Sequence, residues 1–291
     1  MFRGSIVALV TPFRNGEVHE RALQDLVEWH LSQGTQGIVP VGTTGESPTL
    51  SHAEHERVVE VVIEAVAGRV PVIAGAGSNS TSEAISLTRH AKAAGATAAL
   101  VVTPYYNKPT QEGLFQHYKA INDAVELPVI IYNIPGRCVV DMSPETMGRL
   151  AKLPHVVGVK DATGDIVRPL VTTETCGSDF CQLTGEDANA LAFRSHGGHG
   201  AISVTANVAP ALCAKMHDAW DGGRHDEALA IHRRLMPLHK ALFLETNPGP
   251  IKYAVSRLGR CEPSVRLPLI EASERVRGEV AAAMAAAGIN V

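Results

Sequence analysis

The chain has 291 residues, 45% hydrophobic and 19% charged, with a formal net charge of -4. That length can bury a large core, the composition is that of a globular protein, and the charge gives no basic footprint for nucleic acid. No window approaches an uninterrupted membrane span, and Met1-Phe2-Arg3-Gly4-Ser5 runs straight into an apolar strand without a signal-peptide core, so the expected compartment is the cytoplasm.

Apolar, β-branched runs recur along the chain and read as strands. In order they are Ile6–Val10, Gly37–Val41, Val70–Ala74, Ala98–Thr103, Val129–Tyr132, Val156–Lys160, Cys181–Thr184 and Ala201–Thr205. Their spacing of about 30 residues fits one strand-helix unit each. Between the second and third runs, His55–Val66 has helical periodicity, with Val58, Val59, Val62, Ile63 and Val66 on one stripe. Ser51 and Glu54 before it form a capping box. Ser143-Pro144-Glu145 opens another helix, with proline at the first helical position. After about Asn207 the strands stop, and Pro210–Asp221, Asp226–Leu244, Gly249–Leu258 and Ile270–Ala287 read as helices. This alternation predicts a (β/α)8 TIM barrel over residues 1–224 and a small C-terminal helical domain over 225–291. A doubly wound open sheet would need a phosphate loop, and Gly75-Ala76-Gly77-Ser78-Asn79-Ser80 lacks the third glycine of a dinucleotide fingerprint. Cys138, Cys176, Cys181, Cys213 and Cys261 are scattered and form no C-x-x-C pair, which reads as reduced packing thiols.

In such a barrel the chemistry gathers at the C-terminal ends of the strands. Those ends carry Thr11, Thr43-Thr44-Gly45-Glu46, Asn79, Tyr105-Tyr106, Tyr132-Asn133 with Arg137, Lys160-Asp161, Gly185-Glu186-Asp187 and Thr205-Ala206-Asn207. Lys160 stands out among them. A lysine that ends a buried strand is costly to desolvate, and a desolvated amine is a nucleophile toward carbonyls. It reads either as a Schiff-base lysine or as a lysine paired with Asp161 or Asp165. Hydroxyls, phenols, one lysine and one arginine make an inventory for carbonyl chemistry, and no carboxylate–histidine set matches a metal site. Thr43, Thr44 and the amides that follow suit a small carboxylate, and Tyr132 is placed to shuttle a proton. His196-Gly197-Gly198-His199-Gly200 precedes the last strand and is assigned to turn geometry.

Gly42-Thr43-Thr44-Gly45-Glu46, Tyr105-Tyr106-Asn107-Lys108-Pro109, Tyr132-Asn133-Ile134-Pro135-Gly136-Arg137 and Gly158-Val159-Lys160-Asp161-Ala162-Thr163-Gly164-Asp165 resemble the dihydrodipicolinate synthase family of Schiff-base pyruvate aldolases. The resemblance covers essentially the whole chain. It implies an imine between Lys160 and pyruvate, attack of the enamine on aspartate semialdehyde, and ring closure by transimination to 4-hydroxy-tetrahydrodipicolinate, without metal or organic cofactor. It implies a proton relay of Tyr132, Thr43 and Tyr106, the last supplied by a neighbouring subunit. Thr44 corresponds to the binder of the pyruvate carboxylate, Arg137 to the binder of the semialdehyde carboxylate, for which a guanidinium fork is suited, and Gly185 and Ile202 to further substrate-binding positions. A homotetramer built as a dimer of dimers is the implied assembly.

Ser47, His52, His55, Asn79, Glu83 and Tyr105 match the family's feedback site for L-lysine. His52 and His55 also read as a helix-start pair on a solvated face. Three positions depart from the family pattern. Pro48 stands where a small residue is common, and its rigid φ bears on the lysine-site loop. Glu186 replaces an aspartate and Gly249 a branched apolar residue, and both are expected to stand clear of the chemistry. A sugar-acid aldolase, such as N-acetylneuraminate lyase or 2-keto-3-deoxygluconate aldolase, shares Lys160 and Tyr132 and is the alternative. Arg137 with Thr43-Thr44 favours the small acidic aldehyde.

Overall fold

The computed structural model describes residues 1–289. In chain order the strands are β1 (Gly4–Ala8), β2 (Gly37–Val39), β3 (Ile73–Gly75), β4 (Ala98–Val102), β5 (Val129–Asn133), β6 (Val156–Asp161), β7 (Cys181–Thr184) and β8 (Gly200–Ser203). The helices are α1 (Glu20–Ser32), α2 (His52–Val66), α3 (Thr81–Ala94), α4 (Gln111–Ala124), α5 (Pro144–Leu150), α6 (Arg168–Cys176), α7 (Ala190–Ser195), α8 (Pro210–Asp221), α9 (His225–Ala241), α10 (Gly249–Arg257) and α11 (Glu274–Ala286). A two-stranded hairpin, Phe13–Arg14 with Glu17–Val18, follows β1, and a helical turn, Pro135–Cys138, follows β5. The eight strands share one sheet in the order 2-1-8-7-6-5-4-3. The fold is a (β/α)8 TIM barrel with C-terminal helices, as the alternation predicts.

The chain sorts into two compact units, one of Met1–Arg3 with Pro71–Ile202, the other of Gly4–Val70 with the chain from Ser203 onward. In the first, β4, β5, β6 and β7 pair in parallel. Ala98, Ala99, Ile130, Ile131 and Leu183 are fully buried, which gives these strands the continuous apolar character of a sheet covered on both faces. Glycine at 158 lets β6 lie against β7, since a Cβ there would stand 2.5 Å from the Cys181 carbonyl oxygen. In the second unit β1 pairs with β2, Ile6 beside Gly37 and Ala8 beside Val39. The Asn207 side chain, fully buried, accepts from the Val10 N–H at 3.1 Å and donates to the Ala8 carbonyl at 2.7 Å.

The capping signals act where they stand. The Ser51 side chain accepts from the Glu54 N–H while Glu54 accepts from the Ser51 N–H, so α2 starts at His52. Ser143 caps α5 in one direction only, its side chain accepting from the Thr146 N–H at 3.2 Å. Several boundaries differ from expectation, three of them for a clear local reason. β3 begins at Ile73, because Pro71 has no N–H to give a ladder. β8 ends at Ser203, and Thr205–Asn207 turns into a 3-10 helix. α11 begins at Glu274, because Ser273 accepts from the Val276 N–H and caps it there. Among the described residues no helix is long and apolar enough to cross a membrane.

Candidate active site

Strand register brings the central pair together. β5 and β6 pair with a shift between Val129 and Ile130, after which Tyr132 lies beside Lys160 and Asn133 beside Asp161. Side chains alternate along a strand, so a slip of one residue would set Ile131 against Lys160 instead. Both Tyr132 and Lys160 are 6% exposed. The Lys160 Nζ stands 4.2 Å from the centre of the Tyr132 ring, a cation–π distance. Gly185, at the end of β7, makes room for the lysine. A Cβ at 185 would fall 2.9 Å from Lys160 Cε and 2.8 Å from Ala162 Cβ. The Gly185 N–H is tied to the Asp161 carbonyl at 2.6 Å.

The pairing of Lys160 with Asp161 or Asp165 is not realised. Asp161 Oδ1 accepts from the Thr163 N–H at 2.9 Å and its hydroxyl at 2.6 Å, and Arg168 Nε lies 3.7 Å from Oδ2. Asp165 caps the turn by accepting from the Val167 N–H at 2.9 Å. Thr163-Gly164-Asp165 thus shapes the loop leaving β6, with Gly164 at φ +79. Burial pushes the Asp161 carboxyl up, against the pull of Thr163 and Arg168.

Arg168 and Asn133 fix the loop that carries Arg137. Arg168 closes a fork on both oxygens of Asp141 at 2.9 Å each. Asn133, fully buried, donates to Asp141 Oδ1 at 2.7 Å and accepts from the Met142 N–H at 3.1 Å. Burial opposes the charge on Asp141, but Arg168 and Asn133 together hold its carboxyl below the usual range. Arg137 itself is exposed. Glu186, expected not to touch the chemistry, lies near enough to Lys160 and Arg137 to feel their charges. Burial and then Asp187 push its carboxyl up, while Lys160 and Arg137 pull against them. The reason is position: Glu186 directly follows the glycine that touches Lys160. Ile202 is fully buried on β8.

Tyr105 and Tyr106 leave β4 for the surface. Tyr106 has a left-handed backbone, φ +70, and is 90% exposed. The turn is held by the Asn79 side chain donating to the Tyr105 carbonyl at 3.2 Å and the Asn107 side chain donating to the Asn79 carbonyl at 2.9 Å. Glu83 accepts from the Ser78 hydroxyl. Asn79, Glu83 and Tyr105 are therefore joined through one segment of the first unit.

In the second unit, Gly42–Glu46 forms a tight loop after β2. Thr11 Oγ1 donates to the Gly45 carbonyl at 2.7 Å, and a Cβ at 45 would meet the Val41 nitrogen at 2.9 Å. Thr43 is half-buried and Thr44 is buried, its Oγ1 accepting from Asn247 Nδ2 at 3.0 Å. Glu46, in a left-handed conformation at φ +58, is fully buried with Lys252 at 2.7 Å, and its other oxygen accepts from the Arg266 N–H at 3.0 Å. Ser47 opens the 3-10 turn Ser47–Thr49, with Pro48 exposed. His52 is exposed at the start of α2, whereas His55 is buried, so the two do not share a solvated face.

Sequence reasoning passed over Asn247, Lys252, Arg168 and Asp141. Asn247 had a local signal only in the Asn247-Pro248-Gly249-Pro250 stretch, and Lys252, two residues beyond it, had none. Among the described residues no group of three or more His, Cys, Asp or Glu is arranged to hold a metal ion. In the His196–Gly200 turn, His199 Nδ1 accepts from the Gln182 N–H at 3.0 Å and His196 Nδ1 pairs with the Ile166 carbonyl at 2.5 Å.

A (β/α)8 barrel whose sixth strand ends in a buried lysine, held on a tyrosine ring and screened from its neighbouring aspartate, is equipped as a Schiff-base lyase. The dihydrodipicolinate synthetase family matches residues 1–287, and the chain belongs to that family. It is 67% identical over 289 residues to a 4-hydroxy-tetrahydrodipicolinate synthase of Rhodospirillum centenum, covering 99% of each chain. It superposes on the chloride-inhibited dihydrodipicolinate synthase of Acinetobacter baumannii in complex with pyruvate, with a TM-score of 0.97, 47% identity and 100% of each chain covered. A synthase of Cyanidioschyzon merolae with lysine bound matches with a TM-score of 0.95 and 39% identity over 99% of each chain.

Proposed function

We propose that this protein condenses pyruvate with L-aspartate 4-semialdehyde through a Schiff base on Lys160, giving 4-hydroxy-tetrahydrodipicolinate for lysine (diaminopimelate) biosynthesis. The observation that carries the reading is Lys160, buried at the C-terminal end of β6 on the ring of Tyr132. In the scheme, the Lys160 amine adds to the ketone of pyruvate and water leaves. Loss of a methyl proton gives the enamine, whose carbon attacks the aldehyde. The amine of the semialdehyde then displaces Lys160 and closes the ring. The protein supplies the electron sink's attachment point itself, so the scheme calls for no cofactor.

The remaining assignments belong to the same proposal. Tyr132, Thr43 and Tyr106 relay the protons. Thr44 receives the pyruvate carboxylate, Arg137 takes the semialdehyde carboxylate, and Gly185 and Ile202 complete the substrate-binding set. The exposure of Tyr106, on a backbone that aims it outward, supports its working in a neighbouring subunit of a homotetramer. Ser47, His52, His55, Asn79, Glu83 and Tyr105 form the L-lysine inhibitory site, supported by the lysine-bound relative. We also divide the chain into a barrel over 1–224 and a helical domain over 225–291, of which residues 290 and 291 lie outside the described residues. Every described element after β8 is helical, which supports that division. The cytoplasm is the compartment proposed, in keeping with five cysteines that form no disulfide among the described residues.

The test is the coupled condensation rate, with a reductase reporting product through NADPH loss, beside borohydride trapping of pyruvate on the protein. A sustained rate and a trapped adduct lost in Lys160→Arg are expected, because an arginine stays protonated and cannot attack. Trapping without condensation would move the activity to a sugar-acid aldolase. An unchanged rate in millimolar L-lysine would remove the inhibitory site alone.

A further inference from the structure

The Thr43-Thr44 loop is held from a distant part of the sequence. Asn247 precedes α10, lies 203 residues from Thr44, and donates its amide to Thr44 Oγ1 at 3.0 Å. Both side chains are nearly out of water, Thr44 at 2% and Asn247 at 5% exposed. The geometry has a chemical consequence. A hydroxyl carries one proton and two lone pairs, so an Oγ1 that accepts from an amide on one side is left to donate on another. A hydrogen bond into the oxygen also polarises the O–H bond and strengthens that donation. The loop backbone is not free to follow a different partner. Thr11 grips the Gly45 carbonyl, and Glu46 is locked between Lys252 and the Arg266 N–H. Asn247 is itself held in place. The Gly249 N–H closes on the Thr246 carbonyl at 3.1 Å, and glycine at 249 lets the backbone lie where a Cβ would stand 3.0 Å from the Ile270 carbonyl oxygen. Gly249, expected to stand clear of the chemistry, thus sets the segment that presents Asn247.

We propose that Asn247 is a positioning residue for pyruvate recognition: by donating to Thr44 Oγ1 it turns the Thr44 hydroxyl proton outward, as a donor reserved for the carboxylate of the 2-oxo acid. This rests on the assignment of Thr44 to that carboxylate. It makes the segment before α10 a determinant of how firmly the acid is held, with no atom of Asn247 on the substrate.

The experiment measures kcat and KM for each substrate in wild type, Asn247→Ala, Thr44→Val and the double variant, with a thermal melt on each. In Asn247→Ala the KM for pyruvate rises roughly tenfold, the effect of one hydrogen bond. The KM for the semialdehyde and the kcat stay within about twofold, since the chemistry on Lys160 is untouched. Thr44→Val shows the same split, and the double variant is no worse than Thr44→Val alone, because the two residues form one device. Asn247→Asp keeps the shape but cannot donate, so it reproduces the pyruvate KM rise even where Asn247→Ala folds poorly. A pyruvate KM unchanged in the folded variants overturns the proposal, as does a double variant whose losses multiply. Wild type that neither condenses nor traps pyruvate would fell the functional assignment instead, and this inference with it.

Discussion

Gly185 shows how much a single missing atom does in this site. The wall of the Lys160 side chain is made by a glycine whose added Cβ would overlap both Lys160 Cε and the Cβ of Ala162. The lysine is the mobile party, since the Cβ of Ala162 can move only with its backbone. Gly185→Ala is therefore expected to displace the Lys160 amine by a fraction of an ångström to one ångström while leaving its pairing strand in place. A misplacement of that size lowers a rate by up to about a hundredfold. The check is the rate of borohydride-trappable adduct formation with pyruvate, beside a thermal melt. Trapping at the wild-type rate would show that the contact is slack. The lysine's candidacy was legible from residue type and place, because a lysine ending a buried run is rare, but these alone left a carboxylate partner equally open. The glycine's role was not, because glycine carries no side chain to announce a contact and its partner sits on another strand.

At the scale of elements, the loop after β2 is held by buried polar links to distant parts of the chain. The Glu46–Lys252 pair has both side chains at 0% exposure, and Lys252 Nζ also lies 4.1 Å over the Phe13 ring. Removing one partner of such a pair leaves an uncompensated buried charge, which costs about 3–5 kcal/mol. Lys252→Met is expected to lower stability by that amount, and Glu46→Gln added to it to recover much of the loss. Urea unfolding of the two variants checks this, and a Lys252→Met protein as stable as wild type would show that the pair does not hold the loop. This link spans 206 residues and leaves no periodic trace, so no reading of local pattern finds it. Strands and capped helices are different. Apolar runs located all eight strands of the sheet, and Ser51 and Ser143 located helix starts to the residue, because both signals are local. Where local signals compete, boundaries slip: Pro71 cut the start of β3, and the Ser273 cap overrode the apolar Ile270 as the start of α11.

The molecule as a whole carries buried histidines whose protonation it resists, and this sets its behaviour in acid. His30 and His117 each use Nδ1 on a threonine, Thr35 at 3.1 Å and Thr81 at 2.9 Å. Their Nε2 atoms are buried without a partner. Burial, aided by Arg260, holds His30 down to about 3, and burial alone holds His117 down to about 4. In the unfolded chain a histidine titrates near about 6.5. As the pH falls below that value the unfolded state takes up a proton that the folded state refuses, so stability is lost with falling pH. The loss is about 1.4 kcal/mol per pH unit for each histidine. It ends for His117 near pH 4 and for His30 near pH 3, where the folded state also binds the proton. Glu54, hydrogen-bonded to Arg266 and held down to about 2, adds a further loss in the same direction that sets in near pH 4.5 and overlaps the end of the histidine losses. One of the two histidines lies in each compact unit, so acid loosens both. His117→Gln removes one titration and leaves the rest. Its stability deficit against wild type, measured by urea unfolding from about pH 7 to about pH 5, should therefore shrink steadily as the pH falls. A deficit that stays constant over that interval would mean that His117 is protonated in the folded protein as readily as in the unfolded chain.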